Sequence, residues 1–303
     1  MKKFTLSLIA ILLFAAGCGQ STQTANEDKT GKNDPYQPVE NYDPAKVDRP
    51  VEKNSNLIPG DGMATFDTVT TVKVLDLPGS PVLVTDKYFN MLYGASDAKG
   101  AAKIVDILKK DKISRLDYVV LATTSPSEVA GALVLINSEV NVGTFGLIRG
   151  IQTDNYKSLV DTLNKKMVMF EFENAGGKWM INGCTFEILY PMTSDVANDE
   201  HAEKTCIMRL ERDGVSAILT GNITEKIEQK LLDRGKIKLT SYIVVTGGNG
   251  SLTQEFVEAV KPEKIIVGYD SKLLSGDFGV ETLQVKNSNS ASFVLGKKVD
   301  SEK

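Results

Sequence analysis

The sequence predicts an α/β domain, and three observations carry that reading. Asp117–Leu133 (DYVVLATTSPSEVAGAL) passes from a β-branched strand through a small polar loop into an apolar helix. Strand-like and helix-like runs then alternate along most of the chain. Two hairpin signals, around Gly183 and around Asp213-Gly214, place antiparallel strands among them.

The elements follow in chain order. Thr68–Leu77 (TVTTVKVLDL) alternates and is β-branched, so it reads as a strand. Pro78-Gly79-Ser80-Pro81 turns the chain, and Val82–Thr85 is the return strand. Phe89–Tyr93 is a third strand, ending at Gly94. Ala101–Lys110 is an amphipathic helix with Ile104, Val105 and Leu108 on one face. Tyr118–Leu121 is a buried strand, and a helix begins near Ser127 or Glu128. Strand Val140–Phe145, helix Asn155–Leu163 and strand Met167–Phe172 come next. Lys178–Asn182 pairs with Cys184–Tyr190, and Thr205–Arg212 pairs with Val215–Thr220. The loop between the two hairpins holds the sole histidine, His201, read as a surface residue. Helix Glu225–Leu232, strand Ser241–Val245, a helix through Phe256–Val260 and strand Ile265–Val267 close the core. Two short strands, Glu281–Val285 and Ser292–Leu295, end the fold.

Composition bounds the function. A formal charge of −4 argues against a general nucleic-acid binder, and 42% hydrophobic residues is ordinary for a globular chain. Met1-Lys2-Lys3 and the apolar Leu6–Ala16 form a leader too short to span a bilayer comfortably. It ends Ala15-Ala16-Gly17-Cys18, which resembles the lipobox of bacterial lipoproteins. That resemblance implies cleavage after residue 17, lipid on Cys18 and attachment to the outer side of the cell membrane. An ordinary signal peptide with an incidental cysteine is the plainer alternative. Loss of Lys2 and Lys3 leaves 33 basic against 39 acidic residues, a charge of about −6. Residues 18–62 are polar and proline-containing and read as a tether, with a reach of roughly 35 Å. Residues 63–303 are then the folded domain.

The carboxyl ends of strands are where α/β proteins place their chemistry. The loop Ala122–Ser127 leads into Glu128 and offers Thr123, Thr124, Ser125, Ser127 and that one carboxylate, with no His, Cys or Asp. This stretch resembles the T-H-x-H-x-D-H-x-G-G signature of the metallo-β-lactamase superfamily, in the form found in ComEC-like extracellular domains. On that pattern Thr123 and Ser125 stand at the first two histidines. Ser127 stands at the aspartate, Glu128 at the third histidine and Gly131 at the second glycine. Ile113-Ser114-Arg115-Leu116-Asp117 matches the family's approach to the strand. Asp76 matches the first acid of its F-L-D-V-G-Q-G-D, and Tyr93 sits close to where I-D-x-G has its aspartate. Leu219-Thr220-Gly221-Asn222 resembles L-T-G-D with Asn222 at the bridging acid. Gly248 and Asn249 stand at the histidines of H-H-G-S, where Gly250 and Ser251 match.

The resemblance implies an αββα sandwich, two mixed sheets flanked by helices, over about residues 68–296. It also implies that the metal ligands are lost. A hydrolytic zinc site needs three or four ligands from His, Asp, Glu or Cys, and neutral hydroxyls and amides displace water poorly. No metal or other cofactor is expected, and Glu128 is expected to cap its helix or face water. Gly247, Gly248, Asn249, Gly250 and Ser251 form a glycine-rich loop before a helix, read either as an anion cradle or as a plain turn with an N-cap. Cys184 and Cys206 are expected to be buried free thiols, with a disulfide as the alternative. The leading expectation is a membrane-anchored, non-catalytic binding or assembly module with an envelope protein as partner. Its contact surface would be the old cleft between Ala122–Glu128, Asn222 and Gly248–Ser251. The rivals are a metal-dependent phosphodiesterase or nuclease related to DNA uptake, and a structural spacer.

Overall fold

The computed structural model describes residues 69–148, 153–192, 205–235, 237, 240–246, 252–269, 271, 278–285 and 290–296. The leader, Cys18, the tether, His201 and Gly247–Ser251 lie outside the described residues.

The first sheet is built from β1 (Thr70–Val74), β2 (Val82–Thr85), β3 (Asn90–Tyr93), β4 (Arg115–Val120), β5 (Asn141–Ile148) and β6 (Met169–Glu173). They lie side by side in chain order, and β14 (Ala291–Leu295) returns from the far end of the chain to pair with β1. Pairing is antiparallel from β14 to β3 and parallel from β3 to β6. The second sheet holds β7 (Lys178–Ile181), β8 (Cys184–Tyr190), β9 (Ile207–Arg212), β10 (Val215–Leu219), β11 (Tyr242–Val245), β12 (Lys264–Val267) and β13 (Glu281–Gln284). It is antiparallel from β7 to β10 and parallel from β10 to β13. Both sheets are therefore mixed.

Helices α1 (Ala98–Lys110), α2 (Pro126–Asn137) and α3 (Asp154–Lys165) cover the first sheet, and α4 (Glu225–Asp233) and α5 (Gln254–Val260) cover the second. Three apolar layers follow from this order. Val72, Val84, Met91 and Val120 meet Phe186, Met208, Leu210 and Val244 between the sheets. Leu92, Val119 and Phe145 pack beneath Ile104, Leu108, Leu135 and Leu159. Ile218, Ile243 and Ile265 pack beneath Leu231, Phe256 and Val260. Burial on both faces explains why β4, β11 and β12 read as continuous apolar runs and the outer strands as alternating ones.

The helix starts have local causes. Asp97 accepts from Gly100 N at 2.6 Å and caps α1. Ser125 caps α2, which starts one or two residues earlier than the sequence suggested, with Pro126 in the first helical position where no backbone donor is needed. Thr153 and Thr253 cap α3 and α5. Gly131, the glycine that matches the resembled signature, has a steric role. A Cβ there would lie 2.3 Å from Ser96 O and 2.4 Å from Ala95 O, so only glycine lets α2 rest on the turn after β3.

Candidate functional site

The ends of β3, β4 and β10 come together around the loop Ala122–Ser127. Thr123, Ser125, Ser127 and Glu128 follow β4, and Asn222 follows β10. The segment Thr205-Cys206, just before β9, ties the two sides together. Cys206 N donates to Ala122 O at 2.8 Å, and Thr205 pairs with Thr123 in a β-bridge. Thr205 Oγ1 donates to Ala122 O at 3.0 Å and accepts from Asn222 N at 2.8 Å. Asn222 is thus joined to the β4 loop through one hydroxyl.

Glu128 departs from its expected role. It neither caps α2 nor faces water; it is 7% exposed and turned inward beneath the loop. Its Oε1 accepts from Ala122 N at 2.7 Å and Ala95 N at 3.2 Å. Its Oε2 accepts from Thr123 N at 2.8 Å and Thr123 Oγ1 at 2.7 Å. The capping duty has passed to Ser125, whose hydroxyl accepts from Glu128 N at 3.3 Å, which frees the longer side chain to reach back. Burial pushes the Glu128 carboxyl above its ordinary range, and the hydrogen bonds from Thr123, Ala122 and Ala95 pull it partly back.

The hydroxyls beside it satisfy one another. Thr123 Oγ1 lies 2.9 Å from Ser125 Oγ, and Ser125 Oγ lies 3.4 Å from Ser127 Oγ at the exposed rim.

Tyr93 occupies the interior. It is fully buried, and its phenol donates to Cys206 O at 2.5 Å. Burial, and after it Cys206 and Glu128, hold the phenol well above its usual range, so it stays neutral. A Cβ on Gly221 would meet Thr205 Oγ1 at 2.2 Å, Cys206 O at 2.8 Å and the Tyr93 hydroxyl at 2.9 Å, and Gly221 itself has a φ of +55°. Tyr93 and Thr205 therefore fill the space between the loops that carry Glu128 and Asn222. The sequence flagged the position of Tyr93 but not its filling role, and it gave no sign of Thr205.

These residues do not fit a hydrolytic metal centre. Both oxygens of the one carboxylate each accept two hydrogen bonds, and the remaining donors are hydroxyls and an amide. Among the described residues no three of His, Cys, Asp and Glu gather as a metal-binding group. Cys184 and Cys206 are buried free thiols. The pairings Thr185–Glu211 and Phe186–Leu210 set Cys184 near Arg212, at the opposite end of β9 from Cys206.

A structure of YhfI from Bacillus subtilis, a metallo-β-lactamase fold protein, superposes with a TM-score of 0.51 at 10% identity, covering 74% of this chain and 99% of that one. The fold is that of the metallo-β-lactamases. Zn(2+)-bound PqqB from Methylobacterium extorquens superposes with a TM-score of 0.46 at 10% identity, covering 73% of this chain and 99% of that chain. In sequence, the chain is similar to Competence protein ComA of Neisseria gonorrhoeae, 33% identical over 89 residues. That match spans 28% of this chain and 13% of the length of ComA. No family model matches the chain.

Proposed function

We propose that this metallo-β-lactamase-fold chain is a membrane-anchored lipoprotein whose domain is a non-catalytic binding or assembly module. The observation that carries the reading is the environment of Glu128. At the position where the resembled family keeps a histidine ligand, this chain has a carboxylate whose two oxygens accept four internal hydrogen bonds. To bind a metal it would have to give up bonds that hold the Ala95 and Ala122–Thr123 backbone in place. A phosphodiesterase or nuclease acting through this site would face that cost and would still need further ligands. Among the described residues, Thr123, Ser125, Ser127 and Asn222 offer a polar, uncharged rim for contact. The anchor at Cys18, the outer-face location and an envelope protein partner rest on the leader, the lipobox resemblance and the tether composition.

Hydrolysis assays test the catalytic half of the proposal. The full chain, supplied in turn with zinc, manganese and iron, should leave phosphodiester and lactam substrates at the rate of buffer. Turnover that depends on one of these metals and disappears in Glu128→Gln would overturn it.

A further inference from the structure

Among the described helices, α2 differs from the others in its outer face. The exposed residues of α1 include Lys103 and Asp106, those of α3 Lys157, those of α4 Lys226 and those of α5 Glu255. On α2 the exposed residues are Pro126, Ser127 and Asn137, and its one charged side chain, Glu128, is turned inward. Between them Ala130, Leu133 and Val134, at i, i+3 and i+4, form an apolar stripe that is half-buried. A helix that is apolar on every side is ordinarily covered on every side. Here one side is left partly open to water.

The stripe borders an open groove of about 550 Å³ between α1 and α2. Leu133, Val134 and Asn137 line it from α2, and Ala102, Val105 and Asp106 from α1. Lys109 and Glu139 satisfy each other across the two helices at 3.1 Å. Lys103 and Asp106, one turn apart on α1, do not: both are exposed, and among the described residues neither forms an ion pair. This charge pattern selects the occupant. An anionic membrane surface asks for a rim of positive charge, whereas this rim carries one charge of each sign. A two-fold pairing asks for a self-complementary patch, in which residue i meets j and j meets i. The apolar stripe can face its own copy. Antiparallel α1 helices across a two-fold axis bring Lys103 of each copy to Asp106 of the other. Helices crossing at about 50° diverge from their contact, so Lys99 and Lys110 near the ends of α1 stay in water.

We infer that a second copy of this chain covers the groove. The dimer is isologous, with the Leu133–Val134 stripes of the two α2 helices packed together and two reciprocal Lys103–Asp106 pairs beside them. Burial of the stripes supplies the attraction, and the charged pairs fix the register. The surface runs along α2 and α1 rather than over Thr123 and Asn222, and it needs neither a lipid on Cys18 nor an inert site.

Sedimentation velocity on the full chain, from about 1 μM to about 1 mM, should show monomer passing into dimer. Lys103→Glu alone and Asp106→Lys alone each set like charges together at both contacts, and each should weaken the dimer about tenfold. The two substitutions together reverse the pair and should restore the parent affinity. Association driven by the leader or by lipid would not respond to this exchange. Val134→Arg should leave the chain monomeric with its far-UV dichroism unchanged. Three results would overturn the dimer. One is a chain that stays monomeric throughout, whether it then binds anionic vesicles, another protein or nothing. The second is a dimer that Val134→Arg leaves intact. The third is a set of charge variants in which the single exchanges change nothing or the double exchange restores nothing.

Discussion

Glu128 and Thr123 are joined twice: Oε2 of the glutamate accepts from the backbone N–H of Thr123 at 2.8 Å and from its hydroxyl at 2.7 Å. The pair closes the β4 loop on itself. With Ala95 N and Ala122 N on its other oxygen, the Glu128 carboxylate holds three backbone donors in place.

Glu128→Ala should therefore cost stability. It strands the N–H groups of Ala95, Ala122 and Thr123 in a buried place. Each orphaned donor costs about 1–3 kcal/mol before relaxation or entering water recovers part of it. Urea unfolding at neutral pH should show a loss of at least ~2 kcal/mol; a loss under about 0.5 kcal/mol, the range of ordinary surface changes, would contradict this role.

The same residue has a pH signature. Its carboxyl is raised above the unfolded value, with burial the main cause. The native state then holds this proton longer than the unfolded chain does. The proton-linked part of its contribution is fully present below about pH 4.3 and is lost as pH rises through the raised value, while the hydrogen bonds to the backbone remain. In the Glu128→Ala variant the urea midpoint should fall less steeply between about pH 4 and pH 7 than in the parent chain. An unchanged slope would assign the effect elsewhere.

Tyr93 separates filling from bonding. Tyr93→Phe keeps the ring and loses the bond to Cys206 O, at a cost of about 1–2 kcal/mol. Tyr93→Ala opens a cavity in the middle of the site, at about 3–5 kcal/mol. Equal losses in the two variants would mean that the ring itself contributes little.

Gly131→Ala presses a methyl group on the backbone oxygens of Ala95 and Ser96. Neither oxygen belongs to a flexible side chain, so α2 must shift. The melting temperature should fall, with about 1–3 kcal/mol lost. A neutral substitution would mean that the turn after β3 yields freely.

At the leader, Cys18→Ser should leave the chain unprocessed or release it from the membrane, read by mass and by detergent partitioning. Unchanged mass and partitioning would show that Cys18 carries no lipid.

Much of the fold was legible because periodicity and turn residues are local signals. The β-branched runs became β4, β11 and β12, and Gly183 and Asp213-Gly214 became the hairpin turns. The assignment of the last two strands to different sheets was not legible. β13 continues the parallel run from β12, whereas β14 crosses to β1, a pairing set by tertiary packing. At the site, the loop and its residues could be read from spacing, but not the direction of Glu128. A carboxylate in a first helical turn ordinarily favours the surface; here three backbone donors and a hydroxyl lie beneath it, brought together by β3 and β4. Thr205 left no trace because it sits in a run that reads as plain strand.

The central claim is the proposal that this site commits its one carboxylate to internal hydrogen bonds and holds no metal. Elemental analysis tests it most directly, on full-length chain produced in medium containing zinc, manganese and iron and purified without chelator. The account predicts well under one equivalent of any metal per chain, and a melting temperature that a chelator does not move, since a metal bound to the native state alone would raise it. One tightly held metal per chain, with a melting temperature that drops on chelation, would contradict it.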